Sequence, residues 1–511
     1  VRIRRLPYEG GVLDAFRVFA PGLVLLFATR GPLLSSPRLF PDGDEAVVGL
    51  MTQAFHSQGE FPGFYWGQCY GLATLESLVA SIPFAIAGPT GGGLKWAALV
   101  VFAFGWWAWS LAAERIMGRT GGRIAAILLA AMPAWFAFSM KAWGGMSTAF
   151  LTSGLVLMML APRARPSRIP AWISLAIAGS LLAITWFAQP LMAAALAPIL
   201  LAREIRPRGW KKWSAFVIPA LIVGLWLKSQ ADCSQAHWQP RLFGEVDLRA
   251  SAPNVLRGLF VMMHGNHFMN TPLPASAICR ATAAIFLLLA AAASSLAVVR
   301  ALRTRFYPLD AACACSILLV VALALFMKPE AFMYRYLLPA AAPIAWVIAT
   351  RWSRIPRFAV AALFAAFAFL SVSSGWTMRN ASFSGWSAEE ERAMRAVVQT
   401  LEARGIRNVL VTHPTLQWNL MFASKGTIAA RWIPAVDRRP ELSSEVNRAL
   451  LAGERVSLVA NETEAEGILH VLEQVRPEQP REYMAAGPLV LLGPIDPNDA
   501  QALGFKLERG Y

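Results

Sequence analysis

Three carboxylates fall within four residues, Asp42, Asp44 and Glu45, directly after the first long apolar stretch of the chain. Acids kept at a membrane surface are costly to desolvate, and residues of that kind often mark function. A structural reading competes with this one. An acid at a helix cap and another in the first turn complement the helix dipole ahead of 46–55. That accounts for one of the acids and leaves the others unexplained. The stretch that follows, up to residue 88, is rich in aromatics, Gln and Gly. Residues 35–93 therefore read as the loop that holds the chemistry.

The elements that must position this loop are membrane helices. Of 511 residues, 56% are hydrophobic and 15% charged, and many apolar runs approach the length that spans a bilayer. Spans are expected at 12–34, 94–116, 122–140, 145–161, 171–188, 190–203, 213–229, 277–301, 307–327, 333–350 and 356–376. The net charge of +16 is concentrated in short loops such as Arg163/Arg165/Arg168 and Arg203/Arg206/Arg208/Lys211/Lys212. That distribution fits the positive-inside rule and anionic lipid, and it argues against nucleic acid as a partner. Eleven spans from a cytoplasmic N-terminus put every basic cluster on the cytoplasmic side. The apolar stretch 75–87 is too short to cross and reads as an interfacial helix. The loop 35–93, the turn 141–145, the loop 229–276 and the whole C-terminal region then lie outside.

Five cysteines do not read as a disulfide framework, although Cys69 and Cys233 share the outer side. His264 and His267 lack a nearby Cys or acid and read as loop, not as a metal site. No cleavable signal is evident. Near residue 380 the composition becomes that of a soluble protein. Strand-like runs at 408–412, 427–430, 456–460 and 489–492 alternate with helical stretches at 388–404 and 464–475, which predicts a small α/β domain. The expected organisation is a transmembrane domain over 1–379 and an external α/β domain over 380–511. The tail shows no phosphate loop, and its plain reading is a lid or an acceptor-binding module.

Asp44-Glu45 after the first span, then Phe61-Pro62-Gly63-Phe64-Tyr65-Trp66-Gly67-Gln68-Cys69-Tyr70-Gly71, then Leu75-Glu76, resembles the first external loop of the GT-C membrane glycosyltransferases. Within that superfamily the likeness is to the protein O-mannosyltransferase and aminoarabinose-transferase group and its bacterial relatives. Tyr334-Arg335-Tyr336-Leu337-Leu338-Pro339, opening a late span, is similar to another recurrent feature of those relatives. The likeness covers roughly residues 10–376 and is weaker in the tail. Asp42-Gly-Asp44 also looks like the Asp-x-Asp of nucleotide-sugar enzymes, but nucleotide sugars are not expected outside the cytoplasm.

The resemblance implies an α-helical multi-pass protein of the cell envelope, in a bacterial inner membrane. It implies inverting transfer of a monosaccharide from a polyprenyl-phosphate donor to a protein, lipid or glycan acceptor on the outer face. Asp44 would be the general base, and Glu45 would orient it or bind acceptor. Arg335, with Tyr336 beside it, is the first candidate for the cation facing the lipid phosphate, and Lys141 the second. Tyr65, Gln68, Tyr70 and Glu76 are candidates for substrate contact. Interfacial anchoring explains Arg335 and the aromatics equally well. No cofactor is expected, although Asp42 leaves room for a divalent ion. The sequence lacks the acidic residue that the aminoarabinose enzymes carry near the 141–145 turn. The competing classes are a lipid-linked-sugar flippase, which calls for ionisable groups near mid-membrane, and a non-catalytic scaffold.

Overall fold

The computed structural model describes residues 12–162, 169–207, 209–231, 247–265, 267–268, 271–272, 276–304, 308–328, 332–352, 356–380, 382–433, 439–478 and 480–507. Helices lie over all eleven expected spans, and further helices lie between them. They are α1 (Val12–Leu34), α2 (Gly43–Gln58), α3 (Thr74–Ala87), α4 (Gly91–Ala131), α5 (Trp135–Phe138), α6 (Met146–Leu160), α7 (Ala171–Ala188), α8 (Pro190–Leu200), α9 (Trp210–Gln230), α10 (Leu248–Met263), α11 (Ala277–Thr304), α12 (Leu309–Leu325), α13 (Ala341–Trp352) and α14 (Arg357–Thr377). Four of them (α4, α7, α9 and α11) are long and apolar enough to cross a bilayer by themselves, and shorter apolar helices accompany them. The chain is an α-helical multi-pass membrane protein with a small sheet near its C-terminus.

Several boundaries differ from expectation, each for a local reason. The second and third expected spans run together as α4 and are separated only by Gly118, whose φ of 82° breaks the helix. The third ends at Ala131 and not near 140, because Pro133 follows and cannot continue the ladder. Helix α10 was expected as plain loop; its N-cap is Asp247, whose side chain accepts from the Arg249 N–H at 2.8 Å. The late span opens with a 3-10 turn, Tyr334–Ala340, before α13.

The bundle centre is aromatic. Phe102 of α4 stacks on Phe150 of α6 with centroids 4.6 Å apart, and Trp109 meets Trp346 of α13 edge to face at 5.1 Å. Trp109 Nε1 donates to the Phe150 carbonyl and to Ser153 Oγ, both at 3.1 Å, so its polar tip is satisfied inside the bundle. Close approach uses small residues: a Cβ on Gly179 would lie 1.9 Å from the Phe216 carbonyl of α9.

The C-terminal region forms α15 (Ala388–Ala403), α16 (Pro414–Ala423), α17 (Pro440–Leu451), α18 (Glu462–Val475) and α19 (Pro497–Ala502) around a five-stranded sheet. Two residue pairs at His267–Phe268 and Thr271–Pro272 make a separate minimal ribbon, β1 and β2. The sheet comprises β3 (Asn408–Val411), β4 (Ala429–Trp432), β5 (Val456–Asn461), β6 (Glu482–Ala486) and β7 (Leu489–Ile495), in the order β4-β3-β5-β7-β6. β3 is parallel to β4 and β5, and β7 is antiparallel to β5 and β6. Period-two alternation divides the strands between two cores. Leu410, Leu458 and Val490 face α17 and α18. Val409, Val411 and Val459 face α15 and α16, in a core that continues into Val47, Leu50 and Met51 of α2. The sheet thus reaches the acidic helix through α16. A Cβ on Gly49 of α2 would clash with Phe422 at 2.3 Å, so only glycine permits this packing.

Candidate active site

α2 begins one residue after Asp42. Asp42 is the N-cap, its carboxylate accepting from the Glu45 N–H at 2.8 Å, while Glu45 Oε2 accepts from the Asp42 N–H at 3.3 Å. This capping box fixes the orientation of all three acids. Consecutive helical residues then diverge: Asp42 and Glu45 turn inward, and Asp44 remains partly open.

The inward pair is neutralised by lysines. Lys95, from the first turns of α4, pairs with Glu45, and neither side chain has any exposure. Lys141 Nζ lies 2.5 Å from Asp42 Oδ2 and 3.9 Å from Glu45 Oε2. Trp143 Nε1 donates to the same Asp42 oxygen at 2.7 Å, and the Ala142 N–H donates to Glu45 Oε1 at 3.3 Å. Two acids and two lysines form a buried cluster that ties α2, α4 and the 141–145 turn together. Burial pushes the Glu45 carboxyl above its ordinary range, and Lys95 opposes that shift.

Asp44 has the open carboxylate of the three. Its side chain is 20% exposed, against 4% for Asp42. Tyr65 Oη donates to Asp44 Oδ1 at 3.0 Å, and Arg335 Nη1 stands 3.4 Å from Oδ2. The Arg335 guanidinium lies 4.4 Å over the Trp143 ring and 5.8 Å from that of Tyr336, and it keeps 18% exposure. Trp143 therefore serves both halves of the site, holding Asp42 through its N–H and Arg335 through its face.

The aromatic loop is folded by its own backbone. The Tyr65 N–H donates to the Gly71 carbonyl at 2.9 Å, and the Gly71 N–H donates to the Phe187 carbonyl at 2.7 Å. Gly71 has a φ of 83°, and a Cβ there would meet the Gly144 carbonyl at 2.9 Å. Glycine is required for this loop to touch the 141–145 turn. Gln68 and Tyr70 are half-buried on the same loop, and Tyr70 is close enough to Arg335 to interact with its charge. Cys69 is disulfide-bonded. Cys279, Cys313 and Cys315 are free, and Cys233 lies outside the described residues.

Glu76 sits apart from this mouth. It is fully buried and receives both the backbone N–H of Thr148 (2.9 Å) and the Thr148 hydroxyl, so it joins α3 to the start of α6. Burial raises its carboxyl above the ordinary value. Lys141 is likewise enclosed, in contrast to Arg335. The contacts that sequence reasoning passed over are Lys95, hidden at the start of an apolar span, and Trp143. A lysine inside such a stretch is itself a signal, because it needs a buried acid for a partner. The donor set does not suit a divalent ion. Asp42 and Glu45 already face ammonium groups, and among the described residues no three His, Cys, Asp or Glu side chains converge.

No family model matches the chain, and no curated protein matches it in sequence. Solved structures do match in fold. ArnT from Cupriavidus metallidurans bound to undecaprenyl phosphate aligns with a TM-score of 0.60 at 12% identity, over 96% of this chain and 99% of that one. Its apo state aligns with a TM-score of 0.60 at 11% identity, over 96% and 98%. The arabinofuranosyltransferase AftD from Mycobacteria aligns with a TM-score of 0.51 at 15% identity, over 97% of this chain and 41% of that one. The chain has the fold of the GT-C membrane glycosyltransferases, as the resemblance of its first loop implied. The match to ArnT takes in both the span region and most of the C-terminal region.

Proposed function

We propose that this protein is an integral membrane glycosyltransferase that moves a monosaccharide from a polyprenyl phosphate to an acceptor on the outer face of the membrane. The carrying observation is the juxtaposition of Asp44 and Arg335: a partly open carboxylate and a partly open guanidinium 3.4 Å apart at the mouth of a GT-C fold. The relative bound to undecaprenyl phosphate supports the donor class.

In this reading the acceptor hydroxyl attacks the anomeric carbon while its proton passes to Asp44. The bond from the anomeric carbon to the phosphate oxygen breaks, and the polyprenyl phosphate leaves with the electron pair. A single displacement inverts the anomeric centre. Arg335 faces the phosphate as its charge grows, and a preorganised cation in a partly dry site is worth more there than in water. A donor phosphate entering beside Arg335 competes with Asp44 for the guanidinium. Donor binding therefore loosens the ion pair and readies the base in the same step. Glu45, Asp42, Lys95 and Lys141 act as positioning residues that fix the N-terminus of α2. Tyr65 orients Asp44, and Gln68, Tyr70 and Tyr336 border the mouth.

The basic loops support a cytoplasmic N-terminus in a bacterial inner membrane, with the site and the C-terminal region outside. The Cys69 disulfide supports the same side, since disulfides persist in oxidising compartments. The test is transfer by the purified full chain, offered a panel of radiolabelled undecaprenyl-phosphate sugars with membrane lipids and proteins as acceptors. Labelled product of inverted anomeric configuration supports the reading. Donor binding without turnover on any acceptor favours the flippase or scaffold reading instead.

A further inference from the structure

Beside the 3-10 turn that carries Arg335 lies a second cavity, of about 190 Å³, between α10, the end of α12 and the turn itself. Ser251, Asn254 and Val255 of α10 line one side, and Met327, Phe332 and Tyr334 line the other. The volume holds about six waters at about 30 Å³ each. It is below the roughly 300–1,000 Å³ of sites for drug-sized ligands, which sets the scale at one small ring.

The lining is chemically divided. Val255, Met327 and Phe332 are buried and apolar, and the Phe332 and Tyr334 rings meet edge to face at 5.9 Å. Gly258 makes this wall possible, since a Cβ there would meet Tyr334 at 2.8 Å and Phe332 at 3.1 Å. The polar part belongs to α10. Ser251 is 6% exposed, and its hydroxyl has no hydrogen-bond partner among the described residues. A buried hydroxyl without a partner is destabilising, so its retention beside a cavity points to a ligand or water that satisfies it. Asn254 donates through Nδ2 to the Ala250 carbonyl at 3.4 Å, leaving Oδ1 to accept. An apolar aromatic wall with a hydroxyl and an amide carbonyl opposite is the chemistry that recognises a sugar ring. The ring's C–H face packs on the aromatics, and its hydroxyls exchange hydrogen bonds with the polar side.

We infer that this cavity is the subsite for the sugar carried by the donor, with Ser251 and Asn254 as specificity-determining residues. The inference rests on the proposed donor reading. The sugar is bonded directly to the phosphate, and Tyr334, which lines the cavity, stands on the same 3-10 turn as Arg335.

The test compares binding of undecaprenyl phosphate with that of undecaprenyl-phosphate mannose, glucose and arabinose, using the full chain in lipid nanodiscs. Wild type, Ser251→Ala, Ser251→Leu and Asn254→Ala are measured side by side. Bare undecaprenyl phosphate is expected to bind all four equally, which also shows that the variants are folded. The sugar-bearing lipid preferred by wild type should bind Ser251→Leu at least tenfold more weakly, and the two alanine variants about three- to tenfold more weakly. Equal affinity of every variant for the sugar-bearing lipid, or an equal loss for both lipids, overturns the subsite while leaving the donor class intact. Failure of wild type to bind undecaprenyl phosphate in any form overturns the donor reading itself, and the subsite with it.

Discussion

Arg335 and Asp44 are 291 positions apart in sequence and 3.4 Å apart in space. Bringing them together requires the 3-10 turn before α13 to meet the capped start of α2, and Trp143 sits under the guanidinium to fix it. Replacing Arg335 with Ala removes the cation proposed to face the donor phosphate. Affinity for undecaprenyl phosphate should fall about 10- to 100-fold, since a charge-assisted hydrogen bond contributes roughly 1.5–3 kcal/mol. Arg335→Lys should recover only part of this, because an ammonium does not stack flat on an indole. Unchanged affinity in Arg335→Ala, read by equilibrium binding, would remove Arg335 from the donor site.

The Glu45–Lys95 pair should behave as a structural unit. Lys95→Met leaves Glu45 buried without its counter-ion, at a cost of about 3–5 kcal/mol. Burial then raises the Glu45 carboxyl further, so the loss should deepen as pH rises and the carboxyl is forced to ionise. The double variant Lys95→Met with Glu45→Gln should regain most of the stability. Thermal unfolding of the single and double variants in detergent decides it. A double variant no better than Lys95→Met alone would contradict the pairing.

Much of this site was legible in the sequence, and the reasons for the gaps are specific. The acidic cluster, the aromatic loop and the Tyr334-Arg335-Tyr336 turn could be found because charge and aromatic residues stand out at the ends of apolar spans. Which acid stays open could not be read, because that depends on the helix starting at Gly43 and so on Asp42 being the cap. Glu76 was named from the resemblance as a candidate for substrate contact, and the sequence could not show that its helical phase turns it toward Thr148. Four of the five sheet strands were anticipated from apolar runs. β6 was not, because as an edge strand with little burial it carries no such run. Helix α10, with its share of the second cavity, was hidden in a loop whose mixed composition resembles neither a span nor a soluble core.

Glu76 supplies a pH signature. Its folded carboxyl is raised above the ordinary 4.5 by burial, so between those two values the folded state holds a proton that the unfolded state has released. The stability this contributes is full below the ordinary value and is lost as pH rises through the raised one. Glu76→Gln can keep the Thr148 contacts without titrating. Unfolding midpoints measured from pH 4 to pH 8 should therefore decline less steeply with pH in the variant. Parallel profiles would show that Glu76 does not titrate in this range.

The disulfide at Cys69 should hold the aromatic loop. Cys69→Ser is expected to lower the unfolding midpoint by a few degrees, on the scale of a lost native cross-link of about 2–5 kcal/mol. A thiol reductant should lower the wild-type midpoint comparably and leave the variant unchanged. A reductant effect of equal size on both proteins would mean that the cross-link contributes nothing there.

The most direct measurement is sugar transfer from undecaprenyl-phosphate donors by wild type and Asp44→Asn, purified in parallel and matched for unfolding midpoint and donor affinity. A general base contributes about 10²–10⁴-fold. Product formation by the variant should fall by that factor while it still binds undecaprenyl phosphate. Equal turnover by the two proteins would contradict the assignment of Asp44 as the base.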